Sequence, residues 1–256
     1  MASDTSESPG GKADPEHLVE SRIPKDIRDR YEIHSYRSAA LILSENHPEA
    51  FTDLLAALRA FSITTDMIRR AGGNESQIPK LFSTVLRPRG WHETSIQGDL
   101  LVTISWREND EGAGKTSVKK TRTMNFERYL DGHQIDYVKD GVAFDLEWNS
   151  KDQTFDRDLY AFSAFAHTGV IDVAVLVTRS AALNPVFRQL GESLDRNGNV
   201  EWKRNGEPRM IREKYGASTT WMGKLLYRLN AGRNGGCPVL AIGIGPKCIE
   251  DWPHDC

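Results

Sequence analysis

The segment His133-Gln134-Ile135-Asp136-Tyr137-Val138-Lys139-Asp140-Gly141-Val142-Ala143-Phe144-Asp145-Leu146-Glu147-Trp148 allows few conformations. Asp140-Gly141 lies between two apolar runs, and a two-residue hairpin loop needs positive φ at both central positions, which this pair tolerates. With those residues as the loop, Lys139 faces Val142, Val138 faces Ala143, Tyr137 faces Phe144, and Asp136 lies opposite Asp145. Side chains alternate along a strand. Phe144, Leu146 and Trp148 therefore share a face suited to a core, while Ala143, Asp145 and Glu147 share the other.

That second face gathers Asp136, Asp145 and Glu147 at cross-strand distances, where like charges repel. Two readings are open. In one, the acidic residues sit on the wet face of a solvent-exposed hairpin. In the other, a divalent cation removes the conflict; hard carboxylate oxygens suit Mg²⁺, which keeps several waters and completes its shell with substrate phosphate. Asn149-Ser150-Lys151 follows the strand, and Phe155-Asp156-Arg157-Asp158-Leu159 opens a helical pattern. Lys151 is either a group that approaches a phosphate or the attacking water, or a solvated loop lysine.

The rest of the chain divides into a tail at residues 1–18, rich in Ser, Asp, Glu, Gly and Pro and expected to be disordered, and one domain at 19–256. Within that domain, 19–92 reads as a helical N-terminal portion and 93–256 as an α/β core. Helices are expected from Pro48 through Phe61, near Thr64–Ala71, Ile78–Leu86, Phe155–His167, Asn184–Leu194 and Thr220–Asn230. Strands are expected at Leu100–Trp106, His133–Val138, Val142–Trp148, Ile171–Val177 and Val239–Ile244. Ser218-Thr219-Thr220 offers N-cap residues for the last helix, and the same hydroxyls can bind phosphate at a helix N-terminus.

Composition narrows the function classes. Lys and Arg total 33 against 36 Asp and Glu, a formal charge of −3, so any polyanion site must be a local basic patch. Candidate polyanion contacts are Lys119, Lys120 and Arg122, then Asn149 and Ser150 after the carboxylate strand, and Arg157, Arg179, Ser218, Thr219 and Lys224. Lys203, Arg204, Arg209, Arg212 and Lys214 are further cations of the same kind. No apolar run nears the roughly 20 residues of a membrane span, and residues 1–17 lack a signal-peptide pattern. The three cysteines Cys237, Cys248 and Cys256 are odd in number and lack paired C-x-x-C spacing, against a disulfide scaffold or a zinc site. A cytoplasmic protein without a membrane partner is the expectation.

The run from Ile135 to Leu159, the strand ending Val177-Thr178-Arg179, and the segment from Ser218-Thr219-Thr220 to Gly235-Gly236-Cys237-Pro238 resemble the type II restriction endonucleases of the BglII/BamHI kind, in the PD-(D/E)xK nuclease superfamily. The likeness covers roughly residues 30–245. It implies a restriction-endonuclease-like α/β core, a central mixed β-sheet flanked by helices. It also implies Mg²⁺-dependent hydrolysis of double-stranded DNA at a specific, palindromic site, with the candidate polyanion contacts above as DNA contacts. Asp136 and Asp145 would hold Mg²⁺ with the backbone carbonyl of Leu146, and Glu147 would orient or deprotonate the water. Glu147 stands where the superfamily usually has Lys, Asp145 where Glu is commoner, and Ile135 where a Pro is usual. The shifted register Glu147-Trp148-Asn149 leaves Asp145 unexplained. Glu75 is either an added carboxylate, as in some relatives, or an ordinary first-turn Glu. The resemblance further implies a homodimer, since one site cuts one strand, and a cognate DNA methyltransferase. The competing readings are a repair or structure-specific nuclease, an inactive DNA-binding protein on the same fold, and a glycosidase with paired carboxylates.

Overall fold

The computed structural model describes residues 12–70, 77–109 and 117–253. In chain order the elements are α1 (Glu16–Arg22), α2 (Lys25–Arg28), β1 (Tyr31–Tyr36), α3 (Ala39–Asn46), α4 (Pro48–Ala60), α5 (Thr65–Arg69), α6 (Gln77–Leu86), β2 (His92–Asn109), β3 (Ser117–Lys139), β4 (Val142–Glu147), α7 (Thr154–His167), β5 (Val173–Arg179), α8 (Asn184–Gln189), α9 (Ile211–Lys214), α10 (Met222–Asn230) and β6 (Val239–Ile244). The chain divides into two compact units, one of residues 1–94 and 135–256 and the other of Ser95–Gln134.

The strands run in the order β1-β6-β5-β4-β3-β2. β4, β5 and β6 pair in parallel, while β1 on β6 and β3 on β4 are antiparallel, so the sheet is mixed. β5 and β6 are buried along their whole length, as continuous apolar runs such as Val173-Ala174-Val175-Leu176-Val177 require of strands covered on both faces. On one face lies the main core, where Leu43, Leu54, Phe61 and Phe82 meet Phe144, Val175 and Leu240. On the other lie α7 and α10, which contact β4, β6 and each other.

The N-terminal portion is less purely helical than the sequence suggests. β1 lies within it and zips Tyr31–Tyr36 against β6, from Tyr31↔Ile244 to Tyr36↔Val239. The tail is also shorter at its inner end: α1 starts at Glu16 after Pro15 and buries Val19. α8 stops at Gln189, short of Leu194, and Gly191 follows at φ 73°. Ser218, Thr219 and Thr220 do not cap α10, whose N-cap is Trp221 without a side-chain cap bond.

The smaller unit is a long β2–β3 ribbon that extends the expected Leu100–Trp106 strand well beyond both ends. The Thr103 and Thr123 hydroxyls meet at 3.4 Å, and Lys120 pairs with Glu108. Leu101, Ile104, Trp106, Val118, Phe126 and Tyr129 are exposed along it.

Candidate active site

The Asp140-Gly141 turn forms as the sequence dictates, with φ 46° and 80°. The ladder that follows pairs Lys139↔Val142, Val138↔Ala143 and Tyr137↔Phe144. It ends there, before Leu146. At the next step the backbone N–H of Asp136 donates to Asp145 Oδ1 at 2.8 Å, so the carboxylate replaces a main-chain partner. The hairpin is anchored from α4 by Asp53, which accepts from Lys139 Nζ at 2.8 Å and Trp91 Nε1 at 3.2 Å. Tyr137 is fixed by Ser83, hydroxyl to hydroxyl at 2.6 Å, and lies under the Arg87 guanidinium.

The two faces of β4 divide as the alternation requires, since Val142, Phe144, Leu146 and Trp148 all join the main core. The acidic face is not wet. Asp145 and Glu147 are buried, at 6% and 8% exposure, while Asp136 stays exposed. A solvated hairpin is therefore excluded for two of the three carboxylates.

A fourth carboxylate joins them from α7. Asp158 is 4% exposed and stands at helical spacing from Phe155 and Phe162, on the apolar stripe that faces the sheet. Its Oδ1 accepts from Arg157 Nε and Nη2, both at 3.1 Å, and Arg157 Nη2 lies 3.5 Å from Glu147 Oε1. Burial pushes the Asp158 carboxyl up, and the Glu147 carboxylate pushes it further. Asp145 is raised by burial, then by Asp158 and Asp136, and Asp136 is raised by burial and Glu93. The sequence held one sign of Asp158: an acid on the buried stripe of an amphipathic helix is out of place unless something meets it.

Glu147 Oε2 and Asp158 Oδ2 are buried and receive no N–H or hydroxyl donor, and the two carboxyls lie close enough to share a proton. Among the described residues no group of three or more His, Cys, Asp and Glu side chains is placed to hold a metal ion between them. The donor set nevertheless fits a hard cation of the Mg²⁺ type, which needs one or two carboxylates and takes its other ligands from water and substrate. Buried carboxylate oxygens with unused lone pairs are costly unless a charge or a proton meets them.

Other predicted site residues fall elsewhere. Arg179, expected to touch DNA, is buried; its Nε donates to Trp148 O at 2.7 Å and its Nη2 to Thr219 Oγ1 and Thr220 O, both at 2.6 Å. Thr220 donates through Oγ1 to Glu147 O at 3.2 Å, and Thr178 Oγ1 donates to the same carbonyl at 2.8 Å. These contacts give Arg179, Thr219 and Thr220 the task of holding the end of the carboxylate strand. Lys224 is tied to Asp152 at 2.8 Å, and the neighbouring buried Arg228 to Asp156 at 2.9 Å, which fastens α10 to the start of α7. Lys203, Arg209 and Lys214 are likewise engaged, by Glu213, Glu201 and the main-chain carbonyl of Arg70 respectively.

Lys151 is exposed in the turn before α7, where its backbone bridges Thr219. Asn149 and Ser150 are half-buried beside it, with Ser150 O accepting from the Thr220 N–H and Asn149 Oδ1 buried without a partner. Lys119, Lys120 and Arg122 are exposed on the ribbon, and Ser218 is exposed. Cys237 and Cys248 are buried free thiols. Glu75 and Cys256 lie outside the described residues.

A family model described as Restriction endonuclease BglII/BglIII matches residues 31–244, which include β1, the carboxylate hairpin, α7 and β6. The chain belongs to that family. No curated protein matches the sequence. The protein is therefore a DNA-binding nuclease of the restriction type, on a restriction-endonuclease-like α/β sheet, in a family whose chemistry generally uses divalent metal ions. Among the described residues of this endonuclease, no helix is long and apolar enough to cross a membrane.

Proposed function

We propose that this endonuclease is a Mg²⁺-dependent enzyme that hydrolyses phosphodiester bonds at a specific, palindromic site in double-stranded DNA, acting as a homodimer. The observation that carries the metal-dependent part is the convergence of three buried carboxyls, Asp145, Glu147 and Asp158, with the exposed Asp136. In this reading Asp136 and Asp145 hold the cation, with the Leu146 carbonyl, beyond the end of the β3–β4 ladder, as a third donor. When bound, Mg²⁺ polarises the scissile phosphate and eases charge build-up on the leaving 3′ oxygen.

Glu147 orients the attacking water or takes its proton, and its Oε1, 3.5 Å from the Arg157 guanidinium, suits that task. Lys151, exposed at the end of the strand, serves the phosphate side of the reaction. Asn149, Ser150 and Ser218 contact DNA near the site. Lys119, Lys120 and Arg122 supply phosphate contacts along the ribbon, which fix the position of the duplex without reading its bases. Two-fold symmetry of the target calls for two copies of the site. A cognate DNA methyltransferase protects the host, and the protein acts in the cytoplasm, where that DNA is.

The test is a digest of sequenced genomic DNA in Mg²⁺ with the fragment ends mapped, alongside Asp136→Ala. Discrete ends at one palindrome with the wild type, and none with the variant, are expected. Structure-selective nicking, or ends unrelated in sequence, would refute the proposal.

A further inference from the structure

We propose that Asp158 is a positioning residue whose buried carboxyl oxygen aims the guanidinium of Arg157, so that Arg157 neutralises the carboxylate site before cation and DNA arrive and turns to the scissile phosphate afterwards. The inference rests on the nuclease reading above and assigns two roles within it. Arg157 is the cation in direct contact with this group of carboxylates among the described residues. It spends Nε–H and an Nη2–H on one oxygen of Asp158 and brings Nη2 to Glu147, while its Nη1 amine takes part in neither contact.

The geometry separates anchor from head. Asp158 is buried on the sheet-facing stripe of α7, so the fold fixes its oxygen, whereas the Arg157 side chain is 72% exposed. The second Asp158 oxygen is buried, and the carboxyl adjoins Glu147 on the acidic side of β4. A planar fork held at one edge keeps its other edge free for a phosphate, the use to which arginine is better suited than lysine. A divalent ion at the carboxylates removes the reason for Arg157 to stay on Glu147, and an arriving phosphate offers it a stronger partner. Asp156–Arg228 in the first turn of α7 and Asp152–Lys224 just before it brace the start of that helix from α10, so the anchor has little freedom to follow the head.

The experiment uses full-length protein and a supercoiled plasmid carrying a site that the wild type cuts in Mg²⁺. Arg157→Gln and Asp158→Leu should each slow single-turnover cleavage about tenfold or more at saturating protein, and Arg157→Lys should slow it too. The double variant should be no slower than Arg157→Gln alone, because Asp158 acts through Arg157. Asp158→Asn keeps an acceptor oxygen and should recover part of the loss; it also replaces Asp158→Leu if that protein does not fold. Without DNA, Arg157→Gln should bind Mn²⁺ several-fold more tightly, read by electron paramagnetic resonance, since the resident counter-charge is gone. Multiplicative losses in the double variant, unchanged cleavage by Arg157→Gln, or unchanged or weaker Mn²⁺ binding would overturn the proposal. Wild-type cleavage by Asp136→Ala would instead sink the nuclease reading of the carboxylates on which it stands.

Discussion

Arg179 offers the sharpest test of the structure, because its sequence context suggested a DNA contact and its surroundings give it a different task. Replacing it with Ala removes three charge-assisted hydrogen bonds, to Trp148 O, Thr219 Oγ1 and Thr220 O. Thr219 Oγ1 keeps its bond to Gly216 O, but two main-chain carbonyls lose this donor in the interior. Each costs about 1–3 kcal/mol when left unsatisfied. Loss of the stack over Tyr215 and Phe187 adds about 1 kcal/mol. Relief from burying a guanidinium, whose pKa burial lowers to about 10, offsets part of the total. The net expectation is a destabilisation of about 3–5 kcal/mol, or roughly 10 °C in Tm for a chain of this size. Differential scanning fluorimetry and urea titration of Arg179→Ala, with Ca²⁺-supported DNA binding measured in parallel, read both consequences. A variant with wild-type Tm and weakened DNA binding would refute the structural assignment.

Four further outcomes are expected. Asp145→Asn should abolish cleavage, and with EDTA present it should flatten the pH dependence of Tm between pH 5 and 8. The raised Asp145, Asp158 and Asp136 carboxyls mean that the fold holds protons the unfolded chain releases; their stabilising contribution is full below the ordinary carboxylate range and lost as pH rises. A wild-type Tm that instead climbs over that range without metal would contradict this. Gly141→Ala should cost about 1–3 kcal/mol in thermal unfolding, because its φ is +80° and a Cβ would meet His47 Cε1 at 2.9 Å and Asp172 Oδ2 at 3.0 Å. Removing the charges of Lys119, Lys120 and Arg122 together should lower the salt dependence of DNA binding while leaving Tm within about 2 °C, and an unchanged salt slope would exclude the ribbon from phosphate contact. Ca²⁺ should raise the Tm of the wild type more than that of Asp145→Asn in fluorimetry; equal shifts would place the ion elsewhere.

The parts legible in the sequence are those decided by local rules. The Asp-Gly turn and the alternation around it determine which residues of β4 face the core, and the long apolar runs of β5 and β6 announce covered strands. β1 escaped because Tyr31-Glu32-Ile33-His34-Ser35-Tyr36 mixes charge with apolar residues and gains its partner from β6, more than 200 residues on. The sequence suggests a DNA contact for Arg179 and a helix cap or phosphate ligand for Thr220, yet tertiary contacts draw both inside. Asp158 was missed because its role depends on which strand α7 covers, and helical spacing alone does not say that. The acidic trio was visible, but its partial burial under α7 was not.

The two-residue turn at Asp140-Gly141 also limits how this protein can change. Inserting one residue into β4 would exchange its sides, sending Asp145 and Glu147 into the oily interior and Phe144 and Leu146 toward Arg157. Such a lengthened chain would lose its hydrophobic layer together with its acids, so misfolding and inactivity would arrive as one event. Paired insertions escape this rule, and length variants of this segment that still fold should differ by even numbers of amino acids.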